Sequence, residues 1–281
     1  MNAPAGTGHS WLPRASCDAG CVGAGDAASS RPLRRALRVT LRLMLALLLA
    51  PGLPLLAVPL PGRTRVQRIY CRLVLRCLGV RITVTGNPIR NLRGVLVVSP
   101  HMSWLDVFAI GSVLPGSFVA RADMFTGPAT GIVARILKII PIERSSLRRL
   151  PGVVDAVARR LRAGQTVVAF PEGTTWCGLD RGAFYPAMFQ AAIDAGRPVQ
   201  PLRLTYHHID GSPSTVPAFV GDETLLSSIR RLLVVRRTLA RVHVESLQLP
   251  GTDRRVLAGR CQSAVGAGTA RRAGHGHVLV A

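Results

Sequence analysis

From residue 80 onward the chain alternates short apolar runs with longer helical stretches, and that alternation limits its fold more than any other feature. The runs are RITVT (81–85), GVLVV (94–98), SFVA (117–120), KIIPI (138–142), TVVAF (166–170), VQPLRLTY (199–206), PAFV (217–220) and RVHVE (241–245). Each has the length of a strand, and β-branched residues are frequent in them. The clearest intervening helix is PGVVDAVARRLRAG (151–164). Its proline suits a first turn, Val154, Val157 and Leu161 form one stripe, and Gly164 suits the stop. Strands apolar on both faces need helices on both faces. The pattern predicts an α/β domain over residues 80–265, a mixed, largely parallel sheet flanked by helices.

The part before this domain has a different texture. Residues 1–30 are rich in Gly, Ala and Ser without apolar periodicity, and disorder is expected there. Residues 31–79 are basic and hydrophobic. No charge falls between Leu43 and Gly62, a run long enough for a bilayer core of about 20 residues. Pro51, Pro54, Pro59 and Pro61 interrupt its second half, and broken backbone is costly in lipid. Arg34, Arg35, Arg38 and Arg42 precede the run, and Arg63, Arg65, Arg68 and Arg72 follow it, which favours the cytosolic side for both flanks. The expectation is a membrane-associated helical segment forming a re-entrant or interfacial hairpin. Its arginines would sit among anionic headgroups at the cell membrane, with the domain facing the cytosol. Val66, Ile69, Tyr70, Leu73 and Cys77 share a helical face and extend this surface. The end, 266–281, reads as a flexible tail.

A formal net charge of +22 and a pI near 11.7 call for an anionic partner. Nucleic acid fits poorly: aromatic content is 5%, and the chain has no spaced Cys/His finger, aromatic RNA-binding signature or basic region leading into heptads. An anionic membrane surface fits better. The six cysteines show no C-x-x-C spacing, and reduced thiols are expected.

Chemistry-bearing residues gather where strands end, the functional edge of such sheets. In VLVVSPHMSWLDVFAI (95–110) a strand gives out at Ser99-Pro100, and His101 and Asp106 follow. With the histidine in the loop and the aspartate in the first helical turn, the carboxylate can turn back to one imidazole nitrogen. That leaves the other nitrogen as a base near neutral pH. Ser103 and Asp106 also suit a helix-capping box, a purely structural alternative. A second strand ends in FPEGTT (170–175), which supplies Glu172, Gly173, Thr174 and Thr175.

His-x4-Asp after one strand and Phe-Pro-Glu-Gly-Thr after another together resemble the glycerophospholipid acyltransferases, the 1-acylglycerol-3-phosphate O-acyltransferase family. The resemblance covers about residues 65–245. GIVARILKIIPIER (131–144) is similar to the family's second block, with Arg144 at its acceptor-binding arginine. RPVQPLRL (197–204) is similar to its fourth, with Pro201 near the acyl-chain site.

The resemblance implies transfer of a fatty acyl group from acyl-CoA or acyl carrier protein to a lysolipid hydroxyl, without metal or redox cofactor. His101 would be the general base and Asp106 its orienting partner. Arg144, Glu172, Gly173, Thr174, Thr175 and Pro201 would contact substrate. Backbone N–H groups near 100–104 or 172–175 are the candidates for an oxyanion hole. Many phosphate-accepting members carry arginine where this chain has Thr175, and threonine supplies no charge. That departure favours lyso-ornithine lipid as the alternative acceptor, while the family resemblance as a whole keeps lysophosphatidate as the expected one. A non-catalytic membrane-anchored scaffold is the alternative of another class.

Overall fold

The structure, a computed structural model, describes residues 13–23, 32–56, 62–86, 92–125, 127–143 and 146–273. Two helices open it, α1 (Pro32–Leu49) and α2 (Arg63–Cys77). Next come β1 (Val80–Gly86), β2 (Leu96–Val98), α3 (Leu105–Gly111), β3 (Ser117–Arg121), α4 (Pro128–Ile136) and β4 (Ile140–Ile142). The chain continues through α5 (Leu150–Arg162), β5 (Val167–Ala169), α6 (Ala187–Ala195), β6 (Val199–His207), α7 (Leu225–Val234), β7 (Thr238–Val244) and α8 (Arg254–Ala273).

The strands form one seven-stranded sheet in the order β1-β7-β6-β2-β5-β3-β4, parallel throughout except between β6 and β7. Its alternation sorts side chains into two cores. Val95, Val97, Val168, Leu202, Leu204 and Tyr206 face the core that includes α2, α3 and α7 residues, whereas Leu96, Val98, Val167, Ala169 and Val199 face the one built with α5, α6 and α8. This two-sided burial explains the unbroken apolar runs of β2 and β5. The second half of β6, with β7 and β1, differs. Opposite the first core it presents Arg203, Thr205, Arg241, His243 and Thr85 to a cleft.

The predicted strand at 217–220 does not form. Ala218 and Val220 are buried in the first core, which accounts for the apolar run. The backbone between them is used otherwise: Phe219 N–H donates to Met102 O, and Phe219 O accepts from the Thr175 hydroxyl. The stretch is a strut beneath the motif loops, not a strand.

At the N-terminus, residues 13–23 depart from the expected disorder. A short 3-10 turn (Ala19–Cys21) is capped by Asp18, and Cys17 is buried in the core. At the other end α8 continues to Ala273, so the first part of the expected tail is helical.

The α1–α2 pair carries Leu33, Leu37, Leu41, Leu47 and Leu48 exposed on α1 and Val66, Ile69 and Leu73 exposed on α2. Among the described residues no helix is long and apolar enough to cross a membrane. Arg42 does not project outward among the flanking charges. It is buried, and its guanidinium donates to the carbonyls of Leu232, Leu233, Val235 and Arg236 at the end of α7, while Arg38 donates to Val234 O. A cation at a helix C-terminus satisfies carbonyls that the helix leaves open. Burial lowers the Arg42 pKa to about 10.

Candidate active site

Strands β2 and β5 are parallel neighbours in the register Val98↔Ala169. His101 and Glu172 each lie three residues beyond that pair, so parallel pairing delivers the two motif loops side by side. The His101 N–H donates to Glu172 Oε2 at 2.8 Å, and Trp176 N–H donates back to His101 O at 2.8 Å.

His101 Nδ1 lies 2.9 Å from Asp106 Oδ2. The same oxygen accepts from the N–H groups of Met102, at 2.7 Å, and Ser103, at 2.9 Å. Asp106 Oδ1 accepts from the Tyr206 hydroxyl at 2.7 Å. The aspartate is fully buried and held by four donors, so the capping and orienting roles coincide in one carboxylate. The imidazole stacks on Phe170, with centroids 3.9 Å apart and planes 15° from parallel. With Nδ1 committed to Asp106 and the ring clamped, Nε2 has no hydrogen-bond partner among the described residues and belongs to a residue lining the cleft. Such an imidazole can take a proton at Nε2 and share the resulting charge with a carboxylate. Burial and the adjoining carboxylate push the Tyr206 phenol well above its ordinary value, which keeps it a donor.

Glu172 is buried and accepts at both oxygens, from His101 N and from Gly182 N at 3.1 Å. Burial pushes its carboxyl up to about 7 against the lowering effect of those two N–H groups and Arg181. Its bonds make it a tie between loops. Gly173 has φ 71°, and an added Cβ would lie 2.6 Å from Pro13 Cγ, so glycine is required both by the turn and by the chain packed over it. Thr174 is half-buried beside it. The Thr175 hydroxyl, expected to face substrate, is occupied by Phe219 O. Pro201 is buried in β6 opposite Val98 and is not among the residues lining the cleft. Arg144 lies outside the described residues. Of the backbone donors considered for an oxyanion, those of His101, Met102, Ser103 and Gly173 are already engaged, which leaves Trp104, Glu172, Thr174 and Thr175 as candidates.

The cleft beside His101 has a volume of about 1670 Å³. Its walls include Arg181 and Arg203, two residues that motif inspection did not single out. Arg203 is paired with Glu245 at 3.2 Å. The Arg181 guanidinium has no hydrogen-bond partner among the described residues. Burial lowers its pKa, Glu172 opposes that effect, and Arg203 adds to it. Tyr206 had a legible signal, since it shares the strand parity of Leu202 and Leu204, and a buried tyrosine requires a partner for its hydroxyl. Arg181 sits in a stretch of no periodicity and had none.

A family profile described as Acyltransferase matches residues 81–205. The chain is 34% identical over 60% of its length to a 1-acyl-sn-glycerol-3-phosphate acyltransferase of Neisseria meningitidis, of which the match covers 66%. It is 33% identical over 73% of its length to a lyso-ornithine lipid O-acyltransferase of Pseudomonas aeruginosa, covering 78% of that protein. The crystal structure of the 1-acyl-sn-glycerophosphate acyltransferase from Thermotoga maritima superposes with a TM-score of 0.61. That superposition covers 86% of this chain and 97% of the other at 17% identity, and so supports the fold. With the sheet, the paired strand ends and these relatives in agreement, the chain belongs to the glycerophospholipid acyltransferase family and is an O-acyltransferase.

Proposed function

We propose that the chain moves a fatty acyl group from a thioester donor, acyl-CoA or acyl carrier protein, to the free hydroxyl of 1-acylglycerol-3-phosphate, giving phosphatidate. The observation that carries this is the buried Asp106 holding His101 Nδ1 while Nε2 is left to the cleft. The acceptor oxygen attacks the thioester carbonyl carbon as its proton passes to His101 Nε2, and Asp106 stabilises the imidazolium. When the tetrahedral intermediate collapses, the C–S bond breaks and the leaving thiolate takes the proton from His101. Negative charge on the carbonyl oxygen is met by backbone N–H groups that the motif loops leave open, those of Trp104, Thr174 and Thr175 among them. Arg181 and Arg203 favour an anionic acceptor group in the same cleft, a task that the family resemblance gives to Arg144. The exposed leucines of α1 and the Val66, Ile69 and Leu73 stripe of α2 rest on the cytosolic face of the cell membrane, where anionic lipid matches the basic chain.

Lyso-ornithine lipid is the second reading, favoured by two observations. Thr175 brings no charge and spends its hydroxyl on Phe219 O, and the P. aeruginosa relative is matched over more of this chain than the N. meningitidis one. The test is release of free thiol from acyl-CoA by the purified chain with each lysolipid in turn, with the product identified by mass spectrometry. Lysophosphatidate-dependent release that is lost in His101→Ala is expected. Preference for the lyso-ornithine acceptor would refute the phosphatidate assignment alone. Membrane binding without release on either acceptor would leave the scaffold alternative.

A further inference from the structure

Three cysteines have no part in acyl transfer. Cys17 and Cys177 are buried, Cys21 is half-buried, and their Sγ atoms all lie within 4.8 Å of one another. Cys17 and Cys21 come from near the N-terminus and Cys177 from the loop that follows Glu172. The turn at Ala19–Cys21, capped by Asp18, brings Cys17 and Cys21 to one side. Gly178 has φ 90°, so the chain turns sharply after Cys177. The Cys177 N–H in turn donates to Cys17 Sγ at 3.3 Å. A neutral thiol is a weak acceptor, whereas a thiolate rewards donors aimed at it. Three sulfurs within reach of one another, with a backbone N–H aimed at one of them, form a ready donor set rather than ordinary core packing.

We propose that Cys17, Cys21 and Cys177 are thiolate ligands of one zinc(II) ion. Zn–S bonds of about 2.3 Å in a tetrahedron set the sulfurs about 3.8 Å apart, within the separation found here. On binding, each thiol releases its proton to solvent, three S–Zn bonds form, and no oxidation state changes. The fourth position goes to water or another donor. Three soft sulfurs select zinc over magnesium or calcium.

The placement gives the ion a positioning role. It would fasten residues 13–23 to the loop after Glu172, where Pro13 already covers Gly173 and Gly23 N–H donates to Thr215 Oγ1 at 2.7 Å. Leu179 and Arg181, between Cys177 and the Gly182 that Glu172 holds, line the cleft. A Cβ at Gly178 would come 2.7 Å from Met102 Sδ, beside His101. Clamping Cys177 therefore stiffens one wall of the acyl-transfer site without touching the reacting atoms.

The test uses the full chain, purified under reducing conditions without chelator, and elemental analysis by plasma mass spectrometry. About one zinc per chain is expected, falling at least about tenfold in Cys17→Ser and Cys177→Ser and unchanged in Cys261→Ser. Wild-type chain stripped of metal and titrated with Co2+ should develop thiolate-to-metal charge transfer and the visible bands of a tetrahedral ion, an outcome independent of how any variant folds. A wild type that neither holds zinc nor gives these bands overturns the proposal. So does a Cys17–Cys177 disulfide in the freshly prepared chain, or metal retained in Cys177→Ser. None of these readouts involves acyl transfer, so the two proposals fail separately.

Discussion

Replacing Asp106 with asparagine separates the two jobs that its carboxylate performs. Oδ2 holds His101 Nδ1, Met102 N and Ser103 N, and Oδ1 holds the Tyr206 hydroxyl. In Asp106→Asn the amide oxygen can stand where Oδ2 was and keep its three donors, while the amide nitrogen donates to a reoriented Tyr206. The loop keeps its shape, and the site loses its negative charge. Four charge-assisted bonds become neutral ones, a loss of roughly 1 kcal/mol apiece, offset in large part because a buried carboxylate no longer has to be desolvated. Thermal unfolding should shift by only a few degrees, about what 1 kcal/mol moves a domain of this size. Turnover should fall far more. The imidazolium formed in the transition state loses its counter-charge, for which about 10²–10⁴ in kcat is expected, about 2.7–5.4 kcal/mol. Asp106→Ala is the wrong experiment, because four orphaned donors at about 1–3 kcal/mol each rival the whole stability of a domain. The assay is thiol release from acyl-CoA at saturating lysolipid, read beside a melting curve. An asparagine variant that melts like wild type and keeps more than about a tenth of its turnover would refute the mechanism.

Three further expectations follow from particular contacts. Burial raises the Glu172 carboxyl from 4.5 to about 7, so the folded chain binds that proton more tightly than the unfolded one. Its stabilisation is complete below pH 4.5 and lost as pH rises through about 7. Glu172→Gln should flatten the melting temperature over that window, and an unchanged slope would show that another group titrates there. Arg42→Met removes the donor to four carbonyls at the end of α7 and should cost about 2–4 kcal/mol in urea unfolding, against under about 0.5 kcal/mol for the exposed Arg34→Met. Equal losses would contradict the buried role. Replacing Leu37, Leu41 and Leu48 together by serine should weaken binding to anionic vesicles at least about tenfold and leave the melting temperature in place, since all three are exposed. Undiminished vesicle binding would rule out α1 as the membrane contact.

The sequence alone was enough for the features that repeat or lie close together along the chain. Strand–helix alternation is a periodic signal, and it specified a largely parallel sheet because runs apolar on both faces can only be buried on both faces. His101 and Asp106 are five residues apart across one strand end, so local geometry sufficed to pair them. The apolar run at 217–220 misled for a physical reason. Burial makes a segment apolar whether its backbone bonds to a strand or, as here, to Met102 and Thr175. Arg42 misled likewise, because a charge beside an apolar run looks the same whether it meets headgroups or the end of α7. Only the tertiary structure could decide contacts between distant segments: Tyr206 on Asp106, Glu172 on His101, Arg181 and Arg203 in one cleft, and Cys17 beside Cys177. Each depends on the register and order of strands, above all Val98 beside Ala169, and strand pairing is a long-range choice that no local pattern encodes.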